Sequence, residues 1–260
     1  MKKIIQANKE LGKKEAKYYD DIHLEIFNKQ EQERIKEKIE IMYSFNNSHN
    51  ALDIGAGTGN ITLKLVELGY DVIAVDLCKD YLKILKRKAK KYKNLKIIEG
   101  DIEKIKIKGK FDYILCYSSL HHFPDYLKVI KKMCKLLNKN GTLYIDHEVC
   151  DEYWERNRFI QKIYDLSCGW LNGFYVYFIK GIKRRDIQFD YSLADYHTKK
   201  EHRLNHTKIK KLLMKNFDNV YSTKYLLNKT KIFNPLKLFY YLLYGYDTIM
   251  WTAKKNNFLL

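Results

Sequence analysis

Three glycines at alternate positions follow an aspartate and a short apolar run in the stretch ALDIGAGTGN, residues 51–60. Because glycine has no Cβ, these positions would allow backbone N–H groups to come close to a bound ligand. The residues that follow have helical spacing, and the N-terminus of a helix attracts negatively charged groups. The stretch therefore predicts a loop that binds a ligand with an anionic group.

Two common glycine-rich loops do not match this stretch. A P-loop requires Lys followed by Ser or Thr after its glycines, whereas Asn60 follows Gly59 here. The dinucleotide-binding pattern G-x-G-x-x-G would need its third glycine at the position of Asn60. The pattern that remains is D-x-G-x-G-x-G, which runs from Asp53 through Gly55 and Gly57 to Gly59.

Two acidic residues end the next two predicted strands. Asp76 ends the sequence DVIAVD (71–76), and Asp101 ends the sequence NLKIIEGD (94–101). Ligands of open α/β sheets bind outside the carboxyl ends of the strands, where the strand order reverses. The glycine loop and the two acids are therefore expected to form one site.

The elements that would position these residues alternate between strand and helix from residue 50. Short apolar runs predict strands at 51–55, 71–76, 94–101, 111–119, 142–148, 219–228 and 247–255. Helical spacing predicts helices at 58–68, 79–92, 124–137, 207–217 and 235–245. This order predicts an α/β fold with a doubly wound, mostly parallel, seven-stranded sheet.

The other segments predict additions to this sheet within one compact domain. Residues 1–45 predict an N-terminal helical lid, of which residues 1–14 are polar and form a loose helix or a frayed end. Residues 46–148 predict the ligand-binding core, and residues 207–260 the C-terminal part of the core sheet. Residues 149–206 interrupt the alternation, are rich in aromatic residues, and predict a helical cap insertion.

The glycine loop and the two acids resemble those of the class I S-adenosylmethionine-dependent methyltransferases, in particular the small-molecule type. The resemblance is close over residues 51–148 and looser over the terminal strands. It implies a Rossmann-like fold that binds S-adenosyl-L-methionine, with Gly55, Gly57 and Gly59 beside the carboxylate of its methionine end. Asp53 would then attract the ammonium group of the cofactor, directly or through water.

The resemblance also implies roles at the other strand ends. Asp76 would accept both ribose hydroxyls, and Leu77 would pack on the adenine. Asp101 would accept a hydrogen bond from the adenine amino group, and Ile102 would border the ring. The main chain near Cys116 would contact the methionine ammonium.

Tyr19 lies in a segment, Tyr-Tyr-Asp at 18–20, that resembles an N-terminal lid of these enzymes. In that role Tyr19 would close over the methionine end of the cofactor, and the alternative is simple helix packing. The aromatic cap at 153–178 is expected to cover the acceptor, or else to form core or a dimer contact.

The methyl acceptor is expected to face the segment CYSSLHHFPD, residues 116–125. His121 or His122 is a candidate general base because imidazole titrates near neutral pH, although one of them could instead order the loop through the backbone. His147 and Glu148 end the fifth strand on the same side of the sheet. They either line the acceptor pocket or cap the strand.

A second group of histidines lies in ADYHTKKEHRLNH, residues 194–206. His197 follows Asp195 by two residues and is a third candidate base. A metal site and a mobile basic loop are the alternatives. We expect no metal, because nothing else nearby in the sequence completes a ligand set.

The amino-acid composition indicates which partners and which cellular location to expect. The net charge of +18 comes mostly from lysines on predicted helix faces, and leaves an anionic partner as the alternative explanation. The five cysteines form no CxxC pair, no apolar run is long enough to cross a membrane, and no signal peptide opens the chain, so we expect a cytoplasmic protein.

The predicted function is transfer of a methyl group from S-adenosylmethionine to oxygen, nitrogen or carbon of a small-molecule acceptor, by in-line displacement. One alternative is an RNA-modifying methyltransferase, which the charge and the basic stretch GIKRRD (181–186) favour. Another is a binding protein that keeps the cofactor fold without catalysis.

Overall fold

The computed structural model describes residues 2–44, 49–231 and 234–255. The predicted boundary between lid and core, at residues 45 and 46, lies outside the described residues, and so does the predicted end of the core at residue 260.

Within these ranges, seven strands form one sheet in the order β3-β2-β1-β4-β5-β7-β6. Their bounds are β1 Asn50–Ile54, β2 Asp71–Asp76, β3 Leu95–Glu99, β4 Phe111–Tyr117, β5 Leu137–Val149, β6 Asn219–Tyr225 and β7 Thr248–Lys254. Strands β1 to β5 pair in parallel, and β7 is antiparallel to both of its neighbours. The predicted doubly wound, mostly parallel, seven-stranded sheet is confirmed.

Ten α-helices are present in the described part of the chain. They are α1 Lys2–Glu15, α2 Tyr19–Ile22, α3 Leu24–Phe27, α4 Lys29–Ser44, α5 Asn60–Glu67, α6 Lys79–Lys88, α7 Tyr126–Leu136, α8 Arg158–Phe174, α9 His206–Asn216 and α10 Leu236–Tyr244. A π-helix, Tyr175–Ile179, continues α8. Among the described residues, no helix is both long enough and apolar enough to cross a membrane.

The sheet is buried on both faces. One face packs against α7 and α9 in a cluster that includes Ile114, Met133 and Leu213. The other packs against α4 and α5, with Ile39 and Leu65 in the cluster. Strand β4 is buried along its whole length, as expected for the centre of a parallel sheet.

The first helix takes the helical one of its two predicted forms, but it is packed rather than loose. Residues 2–15 form an ordered helix, α1, that packs against α6. Ile4 and Leu11 are buried in spite of the polar sequence, and a Cβ at Gly12 would come within 2.5 Å of the Cys78 Sγ. The glycine therefore allows close packing of α1 on the α6 end, which composition alone does not reveal.

Several element boundaries also differ, and two of these differences have a clear local cause. Helix α5 begins at Asn60, two residues later than predicted, because Gly59 precedes it with a φ of +100°. Strand β5 begins at Leu137, five residues earlier than predicted, because Leu137 already pairs with Phe111 of β4. A register shift after Phe111 accommodates the extra residues.

Candidate active site

A cavity of about 300 Å³ lies outside the carboxyl ends of β1 to β5. Strands β1 and β4 are neighbours at its centre, and the strand order proceeds in opposite directions from them. The cavity is therefore at the switch point of the sheet, where open α/β folds bind ligands. The predicted site residues that line it are Tyr19, Gly55, Gly57, Asp76, Leu77, Asp101, Ile102, His121 and His122.

The glycine loop brings main chain to the cavity at two positions. Gly55 has a φ of +74°, and a Cβ there would lie 2.4 Å from the Ser119 Cβ. Gly57 has a φ of +52°, and a Cβ there would meet no protein atom within 4 Å. Gly59 does not line the cavity as the described residues define it, and a Cβ there would lie 2.5 Å from the Leu85 Cδ1. The first two glycines thus border the ligand space, and the third allows the loop to pack on α6.

Two backbone donors hold the carboxylate of Asp76. The Gly57 N–H donates to its Oδ2 at 2.8 Å, and the Cys78 N–H donates to its Oδ1 at 2.7 Å. Burial raises the pKa of Asp76, and these hydrogen bonds partly oppose the increase. Since a carboxylate oxygen can accept more than one hydrogen bond, Asp76 is fixed and can still accept from a vicinal diol.

The residues predicted to border the adenine also line the cavity. The Asp101 Oδ1 accepts a hydrogen bond from the Glu103 N–H at 3.0 Å, and its Oδ2 lies 2.9 Å from the Lys104 Nζ. Leu77 and Ile102 line the cavity with Asp76 and Asp101. An apolar wall edged by two carboxylates matches a nucleoside, so the residues fit S-adenosylmethionine.

Asp53 and Cys116 do not line the cavity within the described part of the chain. The Asp53 carboxylate is 1% exposed and accepts a hydrogen bond from the Thr62 Oγ1 at 2.5 Å. Burial raises the pKa of Asp53 to about 7. The Cys116 side chain is fully buried, with its Sγ 3.1 Å from the Ser119 Oγ. After β4, Ser118 and Ser119 face the cavity instead.

His121 is paired with a buried carboxylate. Its Nδ1 lies 2.8 Å from the Glu148 Oε2, and the Glu148 Oε1 accepts a hydrogen bond from the Leu120 N–H at 2.9 Å. Burial alone would lower the pKa of His121, but the charge and hydrogen bond of Glu148, with the charge of Asp195, raise it above its usual value. Glu148 therefore orients the imidazole and leaves Nε2 to exchange a proton with a substrate.

His122 has a different environment from its neighbour. Its Nδ1 lies 3.1 Å from the Ala194 carbonyl oxygen and 3.5 Å from the Asp195 Oδ1. Burial and the nearby charge of His121 lower the pKa of His122. These contacts connect the loop after β4 to the segment at 194–195, which suits a structural role for His122.

His121, His122 and Asp195 each offer one ligand atom, and these atoms lie within 4.8 Å of one another. The sequence alone does not bring these three residues together. The Nδ1 atoms of both histidines already contact Glu148 and the Ala194 carbonyl. The expectation of no metal stays a prediction, and it is testable by chelation.

His197 does not line the cavity, as far as the described residues define it. A 3₁₀ turn at Tyr196–Thr198 places Asp195 and Thr198 at the cavity wall and directs His197 away from it. The His197 Nδ1 contacts the His202 carbonyl oxygen. The structure therefore does not place this third candidate base at the cavity wall.

The N-terminal helices contribute cavity residues that the sequence analysis did not identify. The His23 Nδ1 lies 2.9 Å from the Glu25 Oε1, and its Nε2 lies 3.6 Å from the Glu15 Oε2. Burial would lower the pKa of His23, but Glu15 and Glu25 raise it to about 10. The Tyr19 ring packs on the His23 ring with centroids 4.2 Å apart. His23 and Glu25 are two residues apart in the sequence, and this spacing is the signal that could have identified them as candidate site residues.

His147 lines the cavity in an unusual backbone conformation. Its φ is +65°, and Ser118, whose Oγ lies 2.9 Å from the His147 Nδ1, has a φ of +49°. Non-glycine residues rarely adopt these angles, and such strain is common at functional sites. The His147 Nε2 is buried and has no hydrogen-bond partner among the described residues. A ligand in the cavity would supply one.

The cavity, its glycine loop and its strand-end acids define a site for a nucleoside-containing cofactor at the switch point of a Rossmann-like sheet. A family profile described as a methyltransferase domain matches residues 45–172. An uncharacterized methyltransferase of Bacillus cytotoxicus is 30% identical over 159 residues, which cover 50% of this chain and 72% of that protein.

Two further proteins are informative. The ubiquinone biosynthesis O-methyltransferase of Pelagibacter ubique is 40% identical over 96 residues, which cover 36% of this chain and 40% of that protein. The N-methyltransferase NodS of Bradyrhizobium japonicum, solved with S-adenosyl-L-homocysteine, shares the fold. Its TM-score is 0.62 at 14% identity, covering 96% of this chain and all of that one.

The chain therefore belongs to the class I S-adenosylmethionine-dependent methyltransferases. It is an enzyme of this class, and S-adenosylmethionine is its cofactor. The sequence-based predictions of the family, the fold and the cofactor are confirmed.

Proposed function

We propose that the enzyme methylates a hydroxyl group of a small molecule that is enclosed in the cavity, with His121 as the general base. The observation that carries this proposal is the His121–Glu148 pair, which lines the same cavity as Gly57 and Asp76. A hydroxyl must lose its proton as it is methylated, whereas a neutral amine can react first and lose its proton afterwards. A buried histidine–carboxylate pair is suited to the former reaction.

The residues that would hold the cofactor follow from the strand ends. Gly55 and Gly57 would contact its methionine end, Asp76 its ribose, and Asp101 its adenine, with Leu77 beside the ring. When bound, S-adenosylmethionine supplies an electrophilic methyl group on its sulfonium. Gly59, Asp53 and Cys116 would support the loop and strands from outside the cavity.

The residues of this chain have three tasks in the reaction. The His121 Nε2 accepts the proton of the acceptor hydroxyl, and Glu148 stabilises the resulting imidazolium. The lid residues Tyr19 and His23 exclude water and hold the acceptor near the cofactor. The His147 Nε2, buried without a partner among the described residues, would form a hydrogen bond with a polar group of the acceptor.

The charge of the cavity wall favours a small acceptor over RNA. Among the described residues, six carboxylates line the cavity: Glu15, Glu25, Asp76, Asp101, Glu148 and Asp195. His23 and His121 offset part of this charge, but the carboxylates outnumber the histidines of the wall, so a phosphate backbone that approached it would be repelled. The relative named as an O-methyltransferase of ubiquinone biosynthesis supports a hydroxyl acceptor, over the 96 residues that the two proteins share.

The proposal also assigns roles to the segments outside the core. Residues 1–45 act as a lid and residues 149–206 as a cap, around the core at 46–148 and 207–260. The ion pair between the Lys180 Nζ and the Asp21 Oδ1, at 2.6 Å, supports this assignment because it joins the cap to the lid.

The test is a comparison of acceptor classes with methyl-labelled S-adenosylmethionine. The enzyme is incubated with phenols and catechols, with primary and secondary amines, and with total RNA, and label transfer and S-adenosylhomocysteine release are measured. We expect transfer to at least one hydroxyl compound and none to RNA. Transfer to RNA, or to amines alone, would contradict the proposal.

A further inference from the structure

Helix α8 has an apolar stripe on its solvent side. Five large apolar residues follow one another at intervals of three or four positions, and all are exposed: Phe159, Ile163, Leu166, Trp170 and Phe174. Phe178 in the following π-helix continues the stripe and is 77% exposed. This spacing places the side chains along one side of a helix. The buried side of α8 is separate and contains Tyr164 and Cys168.

Helix α10 adds a second exposed apolar set beside the first. Tyr240 is its buried residue and stacks on Tyr164 of α8 with ring centroids 4.0 Å apart. Its exposed large apolar residues are Leu236, Leu238, Phe239, Tyr241, Leu242 and Leu243. Soluble monomers rarely expose so many large apolar groups on adjacent helices, and such patches mark a binding surface. We call these residues of α8, the π-helix and α10 the apolar face.

Exposed basic residues lie along the chain at both ends of the α8 stripe. Arg158 and Lys162 lie in the first turns of the helix, and Lys183, Arg184 and Arg185 follow the π-helix. The exposed acids nearby are Glu155, before α8, and Asp186, whose Oδ1 lies 3.5 Å from the Arg185 Nε. Asp165 on α8 is paired with Lys229. The surroundings of the stripe are therefore predominantly positive, as is the whole chain with its net charge of +18.

We infer that the apolar face docks on the surface of an anionic lipid bilayer. Aromatic and aliphatic side chains flanked by Lys and Arg are the composition of helices that lie in the membrane interface, where the apolar groups enter the acyl boundary and the cations contact acidic headgroups. A second copy of this chain, docked through the same face, would bring two basic clusters together, so charge favours the bilayer as the occupant. The contact is peripheral, and it is independent of which acceptor the enzyme methylates.

The experiment is co-sedimentation of the full chain with vesicles of phosphatidylcholine alone and of phosphatidylcholine mixed with phosphatidylserine. We expect binding to the mixed vesicles, weaker binding to phosphatidylcholine, and loss of affinity as salt screens the headgroup charge. Trp170→Ser and Leu242→Ser should each weaken binding by about tenfold, because each removes one large apolar group from the interface. Met214→Ser, at a residue of α9 that is 61% exposed, is the matched control and should bind normally.

A charge series separates the electrostatic contribution from the apolar one. Arg184→Glu combined with Arg185→Glu should abolish the preference for phosphatidylserine, whereas Lys211→Glu on α9 should retain it. All these positions are exposed, so the circular dichroism spectra and melting temperatures are expected to stay unchanged.

Quenching of tryptophan fluorescence by brominated lipid provides a test on the unaltered chain. We expect quenching in the wild type and a large loss of quenching in Trp170→Phe. Failure of the wild type to bind phosphatidylserine vesicles at low salt would overturn the inference. So would a dimer in solution that Trp170→Ser dissociates, because a second copy would then be the occupant of the face.

Discussion

The Nδ1 of His121 lies 2.8 Å from the Oε2 of Glu148, a buried carboxylate whose other oxygen accepts the Leu120 N–H at 2.9 Å. Both oxygens of Glu148 are thus engaged, and the imidazole has one nitrogen fixed and one available. The glycine loop lines the same cavity, so the hydrogen bond to Glu148 positions His121 as a base beside the cofactor site. This role can be tested through the pH dependence of kcat/KM and through turnover.

The first prediction concerns the dependence of kcat/KM on pH. A general base works in its neutral form, so kcat/KM should rise through a pKa above the ordinary histidine value, because Glu148 raises the pKa of His121. Glu148→Gln removes that charge and should move the rise to lower pH. The exposed Asp71→Asn is the control and should keep the wild-type profile. An unchanged profile in Glu148→Gln would assign the titration to another group.

The second prediction separates the candidate bases. His121→Gln should lower kcat by about 100-fold or more, the usual contribution of a general base, with little change in affinity for S-adenosylhomocysteine. His197→Gln should leave kcat unchanged, because His197 does not line the cavity among the described residues. Steady-state kinetics and calorimetry on both variants check this. Equal turnover in His121→Gln and the wild type would refute the assignment.

The third prediction concerns stability at Asp53. Its folded-state pKa of about 7 lies above the ordinary value for aspartate, so the folded chain binds this proton more tightly than the unfolded chain. The contribution of Asp53 to stability should therefore be lost as pH rises from about 4 to about 7. Asp53→Asn, which cannot titrate, should gain about 2 kcal/mol relative to the wild type between pH 5 and pH 8.

Denaturant unfolding of both proteins at several pH values measures this difference. A difference that stays constant with pH would show that Asp53 does not titrate in this range. Because Asp53 lies outside the cavity, Asp53→Asn should also keep its affinity for S-adenosylhomocysteine, and a large loss would restore the role that the sequence analysis predicted.

The fourth prediction concerns metal dependence. The Nδ1 of His121 is engaged by Glu148 and that of His122 by the Ala194 carbonyl, which suits a hydrogen-bonded cluster with Asp195. We therefore expect turnover to be the same with and without EDTA, and added Mg²⁺ or Zn²⁺ to give no stimulation. Loss of activity on chelation, with recovery on adding one cation, would identify the cluster as a metal site.

The sequence predicted the sheet and the cofactor end of the site because both depend on local patterns. Parallel strands bring their carboxyl ends to one edge, so Gly57, Asp76 and Asp101 could be placed together from their positions at successive strand ends. Asp53 belongs to the same motif, but its side chain bonds to Thr62 behind the strand. The motif fixes the spacing of these residues along the chain, but the packing around them decides which side chains face the cavity.

The side-chain contacts at the acceptor end of the site could not be derived from local sequence patterns. His121 and Glu148 are 27 residues apart, and the contact of the Tyr191 hydroxyl with Glu15 spans 176 residues. No periodicity encodes either pair. The first depends on how the turn after β4 packs on the end of β5, and the second depends on how the cap packs on the lid. His197 illustrates the converse, since one 3₁₀ turn rotates it away from a cavity that its neighbour Asp195 lines.

Titration calorimetry with S-adenosylhomocysteine tests most directly whether the glycine loop binds the cofactor. The wild type should bind, and Gly57→Val should lose at least about 100-fold in affinity, because a side chain there is strained at a φ of +52° and borders the cavity. Gly69→Ala, at a φ of +90° beyond α5 and with no atom within 4 Å of the added Cβ, is the matched control and should bind like the wild type. Undiminished binding by Gly57→Val would contradict the central claim.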